Sequence, residues 1–348
     1  MRLDWRGALG LALSAALLWW TLRDVDLASV ASHLREANLP LLLLAAALAT
    51  ACLLVRVPRW KTILAPIDEH LDFGPLWRAT AIGTMVNNVV PARVGELARA
   101  FALSRERPSI PFSASFASLA VDRVFDAVAV MLLMAVAIAD PSFPRGHGDV
   151  TTRVANTIGL GTVFAVLLLA MLYLLVFLPE RIIRLYERIT RRLAPALEAR
   201  GRDALLAFAS GLGVLRHPLR FTAVFAWTVA FWMLNALAFW LGFRAVGIHV
   251  SYTAALLVQG VIVVGVAIPQ APGFWGVFEA AAKFALVDVY GVPAGQAVSW
   301  AIGFHLLSFL PITLIGAWYF VRLGLHFREL GAAQGNGEAG TPDRGRAA

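Results

Sequence analysis

Arg93, Glu96 and Arg99 stand three residues apart in the stretch "NNVVPARVGELARAF", residues 87–101. On a helix that spacing makes one polar stripe, with Val94, Leu97, Ala98 and Phe101 turned away from it. A guanidinium fork matches the oxygens of a phosphate, and a carboxylate between two of them would hold both in place. A helix beginning near Gly95 would add its free backbone N–H groups to the affinity for an anion. The same stripe also suits a helix at a membrane surface with solvated arginines, the role expected of Arg105 and Arg107 just beyond it. Asp122, Arg123 and Asp126 form a second set at the head of an apolar run. Asp122 and Asp126 share a face at i, i+4, so these like charges need a cation, a proton or another partner. They read either as functional intramembrane ions or as headgroup-layer residues near a helix end. Glu279 and Lys283 have the same i, i+4 spacing and can neutralise each other, which leaves a structural and a transport role both open. Asn87, Asn88, Asn235, Gln259 and His305 read first as hydrogen-bonding side chains between helices.

The elements that must position these groups are apolar. Of the 348 residues 59% are hydrophobic and 15% are charged, against about 25% charged in a soluble domain. Apolar runs fall near 7–22, 39–57, 76–90, 112–139, 154–178, 219–243, 252–268, 275–290 and 297–321. Several reach or approach the ~20 residues that cross a bilayer as a helix. The fold class expected is an all-α, polytopic membrane helix bundle. The net charge of +8 sits mostly in arginine-bearing connections, where it sets orientation and meets anionic lipid; no nucleic-acid partner is expected. The lone Cys52 gives neither a disulfide framework nor a thiolate metal site. The sequence holds no H-E-x-x-H helix, no G-x-S-x-G elbow and no P-loop, and no catalytic residue, metal or cofactor is expected.

Charge also orders the chain. The start, "MRLDWRGALGLALSAALLWWTL", has Trp19 and Trp20 where a signal peptide needs small residues, so it is expected as a retained first helix. "DLASVASHLREA" is expected as a short interfacial helix. The segment 179–218, rich in arginine, reads as a cytoplasmic amphipathic linker between a first half (about 1–178) and a second half (about 219–330). The small, polar residues 331–348 read as a disordered tail. Both termini, that linker, and a basic loop holding Arg56, Arg59 and Lys61 all face the cytoplasm if 76–90 and the residues after it form a re-entrant hairpin. Parity leaves open whether 252–290 spans twice or is a hairpin too.

The halves echo one another. "GELARAFAL" (95–103) aligns with "FEAAAKFAL" (278–286), pairing Glu96 with Glu279, and each is preceded by a break. The breaks hold Pro91 and Gly95 in the first half and Pro269, Pro272, Gly273 and Gly276 in the second. Broken backbone at membrane depth must be buried in protein or line a wet cavity. Paired interrupted helices point to a transporter site, so the two breaks are expected to meet, with Glu96 and Glu279 flanking one cavity. "NNVVPARVGELARAF", "VDRVFD" (121–126) and "PQAPGFWGVFEAA" (269–281) together resemble the motifs of the lysylphosphatidylglycerol synthase transmembrane-region family, over most of residues 5–323. The chain has Pro272-Gly273-Phe274 where that family carries Pro-Gly-Gly, and Phe304-His305 where a Tyr-Arg pair is common. The resemblance implies a flippase-like inner-membrane domain that binds or moves an anionic phospholipid or a polyprenyl-phosphate-type lipid. The soluble aminoacyl-transferase domain of the bacterial multiple peptide resistance factors is not expected here. Two alternatives stay open, a membrane-embedded lipid or glycosyl transferase and a non-catalytic structural partner protein. The topology is tested by single cysteines placed on a Cys52-free background: those in 179–218 and 331–348 are expected to react only after the cytoplasmic face is opened, and labelling of the tail from outside would refute the arrangement.

Overall fold

The computed structural model describes residues 5–90, 94–145, 149–193, 217–267 and 272–326. Pro91, Arg93, Pro269, most of the linker after Leu193 and the tail 331–348 lie outside them. All the described elements are helical. They are α1 (Trp5–Leu22), α2 (Leu27–Glu36), α3 (Leu39–Leu64), α4 (Phe73–Val89), α5 (Gly95–Glu106), α6 (Phe112–Ala139), α7 (Asp149–Phe177) and α8 (Pro179–Leu193). After the linker come α9 (Pro218–Ala245), α10 (Tyr252–Val266), a 3-10 turn (Pro272–Phe274), α11 (Val277–Lys283) and α12 (Ala294–Arg322). α11 runs on as a π-helical turn, Phe284–Val289. Local chemistry fixes several starts: Asp26 accepts from the Ala28 and Ser29 N–H groups, Asn38 from Leu41, and Ser251 from Ala254, so first-turn donors that lipid would leave unpaired are satisfied.

Among the described residues, α3, α9 and α12 are long and apolar enough to cross a membrane. α6 has 28 residues and α7 has 29. At 1.5 Å per residue both exceed a hydrocarbon layer of about 30 Å. Leu160, Phe164 and Leu167 on α7 and Leu314, Trp318 and Val321 on α12 are exposed, the pattern of helices whose outer solvent is lipid.

α3 was expected to end near residue 57 in a basic loop. It instead continues through Pro58 to Leu64, so Arg56 and Arg59 belong to a helix within the bundle and Arg59 is fully buried. A membrane helix tolerates proline where neighbouring groups re-satisfy the backbone, and α3 packs along α9 over much of its length.

Contacts at the helix ends give the directions of travel. The Asn38 N–H donates to the Ala245 carbonyl, Ser142 bonds Ser251, and Ser299 donates to the Val30 carbonyl. These join the start of α3 and of α12, the ends of α6 and α9, and α2 at one end of the bundle. At the other end Arg220 pairs with Glu69 and Arg107 with Asp72, joining the end of α3 and of α5 to the starts of α4 and α9. α4 and α5 therefore enter and leave from one end, and α10 and α11 from the opposite end. Two short helical hairpins, inverted with respect to each other, reach toward the middle.

Glycine permits the tight contacts at both tips. A Cβ at Gly95 would strike the Gly83 carbonyl and the Asn87 side chain, and the Gly95 N–H donates to Asn87 Oδ1 at 2.8 Å. Gly276 has φ +86°, and a Cβ there would strike the Ser14 carbonyl of α1. α1 then runs alongside α11 until Lys283 Nζ donates to the Thr21 carbonyl at 2.9 Å. Gly276→Ala is expected to cost about 1–3 kcal/mol from strain and collision. Gly291→Ala meets open space at a similar φ and is expected to cost only the smaller strain term. Melting in detergent checks the order, and equal melting of the two would remove the α1 contact from the account.

Candidate functional site

The charged residues gather where α3, α5, α6 and α9 meet, beside both hairpin tips. Asp122 and Asp126 lie three to four turns inside α6, fully and nearly fully buried, so neither sits at a helix end. The cation they require comes from α3. Arg59 Nε lies 2.6 Å from Asp122 Oδ1, and its Nη1 lies 2.7 Å from Asp126 Oδ1 and donates to Thr228 Oγ1 at 3.1 Å. Trp232 Nε1 donates to the same Asp126 oxygen at 3.0 Å. Arg56, one turn earlier, lies 3.4 Å from Asp122 and 3.9 Å from Asp126. One side chain thus bridges two carboxylates that would otherwise repel.

The α5 stripe closes over this base. Arg99 Nη1 lies 3.3 Å from Asp122 Oδ2 and 4.0 Å from Glu96 Oε2. Its guanidinium sits over the Trp60 ring, 3.9 Å from the centroid, and Trp60 is held by donating Nε1 to Ser118 Oγ at 2.8 Å. That cation–π contact fixes the plane of the fork. Arg99 Nε and Nη2 find no hydrogen-bond acceptor among the described residues. Arg123 reaches across to Glu96 at 2.5 Å and to Asp126 at 3.3 Å and stays the most exposed of the set. Among the described residues, four guanidiniums therefore face three carboxylates, leaving one positive charge over.

A cavity of about 360 Å³ opens onto this network. Arg56, Glu96, Arg99, Arg123 and Asp126 supply its charge; Thr80, Thr84, Asn87 and Asn88 of α4 supply neutral polar groups; Val263 and Val266 of α10, Ala267 just after it, and Phe274 add apolar lining. Both hairpins contribute to it, and α4 packs against the Pro272–Phe274 turn. A larger groove, about 630 Å³, is apolar and lies among α3, Trp77 of α4, and Leu307 to Ile315 of α12.

The placement differs from the sequence expectation at several residues. Glu279 does not flank the cavity with Glu96. It is fully buried, accepts from the Gly276 N–H at 2.6 Å and lies 2.7 Å from His305 Nδ1. An acid at the third position of a helix naturally caps the free N–H at its start, and His305 is stacked between the Trp275 and Phe278 rings. Lys283 does not neutralise Glu279; it bonds the Thr21 carbonyl and lies over the Trp20 ring at 5.4 Å. Asp122 lies behind the cavity wall, since three arginines already surround it. Arg56, Arg59, Trp60 and Trp232 were missed, because the acids that α3 serves are 66 and 67 residues further along. The amides do join elements: Asn88 donates to Thr313, and Asn235 to Gln259.

Removing one partner from a buried ion network costs about 3–5 kcal/mol. Arg59→Leu is expected to lose about that much, and Arg59→Lys less, because an ammonium keeps the charge although it cannot fork between two acids. Exposed Lys61→Ala should stay within about 0.5 kcal/mol. Thermal melting checks the ranking, and a neutral Arg59→Leu would contradict the bridging role.

The model for the lysylphosphatidylglycerol synthase TM region matches residues 7–316. A UPF0104 membrane protein of Pyrococcus horikoshii is 24% identical over 323 residues, 88% of this chain and 93% of that protein. One from Methanothermobacter thermautotrophicus is 28% identical over 280 residues, 76% of this chain and 78% of its own. Glycosyltransferase AglD of Haloferax volcanii is 32% identical over 154 residues, 44% of this chain but 24% of that protein. No solved structure matches. With a family match across nearly its whole described length, this helical membrane protein belongs to the lysylphosphatidylglycerol synthase transmembrane-region family.

Proposed function

We propose that the chain binds a phosphate-bearing lipid headgroup in the polar cavity and passes it between leaflets while the tails stay in the bilayer. The observation that carries this reading is the charge excess among the described residues: four arginines against three acids, with two Arg99 nitrogens lacking acceptors there. An anion of one charge would neutralise the site and supply those acceptors. Arg99 and Arg123 are the phosphate donors in this reading, Arg56 and Arg59 hold the acids in place, and Glu96 aims the two donors. The apolar groove beside Trp77 gives the tails a surface continuous with the membrane. Two inverted hairpins meeting at one site provide the geometry that alternating access requires. The end bearing α8, with Arg181, Arg184, Arg188, Arg191 and Arg192, is the cytoplasmic one by the positive-inside rule, in the cytoplasmic membrane. The name of AglD adds sugar-bearing lipid phosphates to the headgroups worth testing.

Native mass spectrometry with phosphatidylglycerol and phosphatidylcholine in competition tests the reading. A charge-assisted hydrogen bond is worth about 1.5–3 kcal/mol. Arg99→Gln and Arg123→Gln are therefore each expected to lower phosphatidylglycerol retention about tenfold or more, with Arg123→Gln melting close to the parent. Unchanged retention in both would return the arginines to a structural role. In liposomes, movement of labelled lipid without covalent change supports transport, and chemical conversion of it would make the protein a transferase instead.

A further inference from the structure

Phe274 has φ +62°, the left-handed region that glycine takes freely and a phenylalanine rarely takes. Such a conformation persists only where its surroundings over-determine it. Here they do, on both sides. Gly273, at φ +69°, has no room for a Cβ, which would come within 2.8 Å of the Phe309 ring and 3.0 Å of the Trp275 indole. Trp275 is stacked on His305 with ring centres 4.3 Å apart. Gly276 is tied through its N–H to buried Glu279 and abuts α1. The turn is pinned to α1, α11 and α12, and the one large side chain it turns toward the cavity is that of Phe274, half-buried, in the same lining as Glu96, Arg99 and Arg123. The ring carries no group that donates to a phosphate. It does take up volume in the cavity that the guanidiniums line, where whatever is esterified to the phosphate must fit.

We propose that Phe274 is a specificity-determining residue that limits the size of the headgroup substituent admitted beside the phosphate. This rests on the lipid-phosphate reading above and narrows it to phosphodiester lipids with a small substituent. Specificity of this kind is built from a clash with the wrong ligand rather than from a contact with the right one.

The test uses the full chain in native mass spectrometry with dioleoyl phosphatidylmethanol and dioleoyl phosphatidylinositol in competition, lipids of equal charge and different bulk. The parent is expected to favour phosphatidylmethanol. Phe274→Gly keeps the turn, because glycine adopts this φ without strain. Phe274→Gly and Phe274→Ala are both expected to move the retention ratio toward phosphatidylinositol by about tenfold or more, and Phe274→Leu, which keeps bulk, to hold the parent ratio. Equal ratios in all four chains with binding retained would overturn the proposal and leave the phosphate site standing. Retention of neither lipid by the parent would overturn both.

Discussion

Two carboxylates one helical turn apart, inside a bundle of apolar helices, stay ionised only if cations reach both at once. Coulombic repulsion between them grows as the local dielectric falls, and desolvation penalises each separately. Arg59 answers both requirements with one planar group, contacting Asp122 at 2.6 Å and Asp126 at 2.7 Å. This contact sets the register of α3 against α6, since a guanidinium fork accepts little rotation, and Thr228 and Trp232 bring α9 into the same lock. Once that base is set, Arg56, Arg99 and Arg123 are held by carboxylates they share, and the surplus positive charge has a fixed position. Under the proposed function, the affinity for an anion would be a by-product of the way the bundle pairs its acids.

The hairpins answer to a different constraint. A helix that stops halfway through a membrane exposes backbone donors and acceptors that lipid cannot satisfy. The first tip uses Asn87 to accept from Gly95 and Asn88 to reach Thr313. The second uses Glu279 to accept from Gly276. The two solutions are chemically different although the sequences around Glu96 and Glu279 align. Glu96 turns toward arginines and the cavity, whereas Glu279 turns back on its own helix start and on His305. Each carboxylate goes where the nearest unpaired donor is.

That difference marks what could be read from the chain alone. Apolar runs and charge fractions are local properties and gave the all-helical membrane class directly; prolines, glycines and the echo between halves gave the paired breaks. Asp122 and Asp126 were recognisable as needing a partner, because i, i+4 spacing is itself a local rule. The identity of the partner was not, since it depends on which helix packs against α6. Arg56 and Arg59 were assigned to a basic loop because the apolar run ends near residue 57, but a packed membrane helix carries its charges on through Pro58. Glu279 was misplaced for the converse reason: a sequence echo carries backbone geometry between halves better than it carries side-chain direction. Phe274 looked only like a departure from a glycine motif until its φ and its place in the cavity lining were known.

α12 ties the two tips together. His305 meets the second tip through Glu279 and Trp275, and Thr313 meets the first through Asn88. Eight residues separate these attachments, about 12 Å along the helix. Gly316 extends the first attachment, because a Cβ there would strike the Ala81 carbonyl of α4. Between the two lies Pro311, inside the helix. A proline removes one backbone hydrogen bond and crowds the preceding turn, so the segment joining the attachments is where α12 bends at least cost. Rigid tips joined through a weakened helix can shift relative to each other without unmaking their own caps. A lipid headgroup held between them would feel that shift as a change in which end of the bundle the cavity opens toward. The buried arginine network on α3, α5 and α6 would stay fixed meanwhile, since none of its ion pairs involves α12.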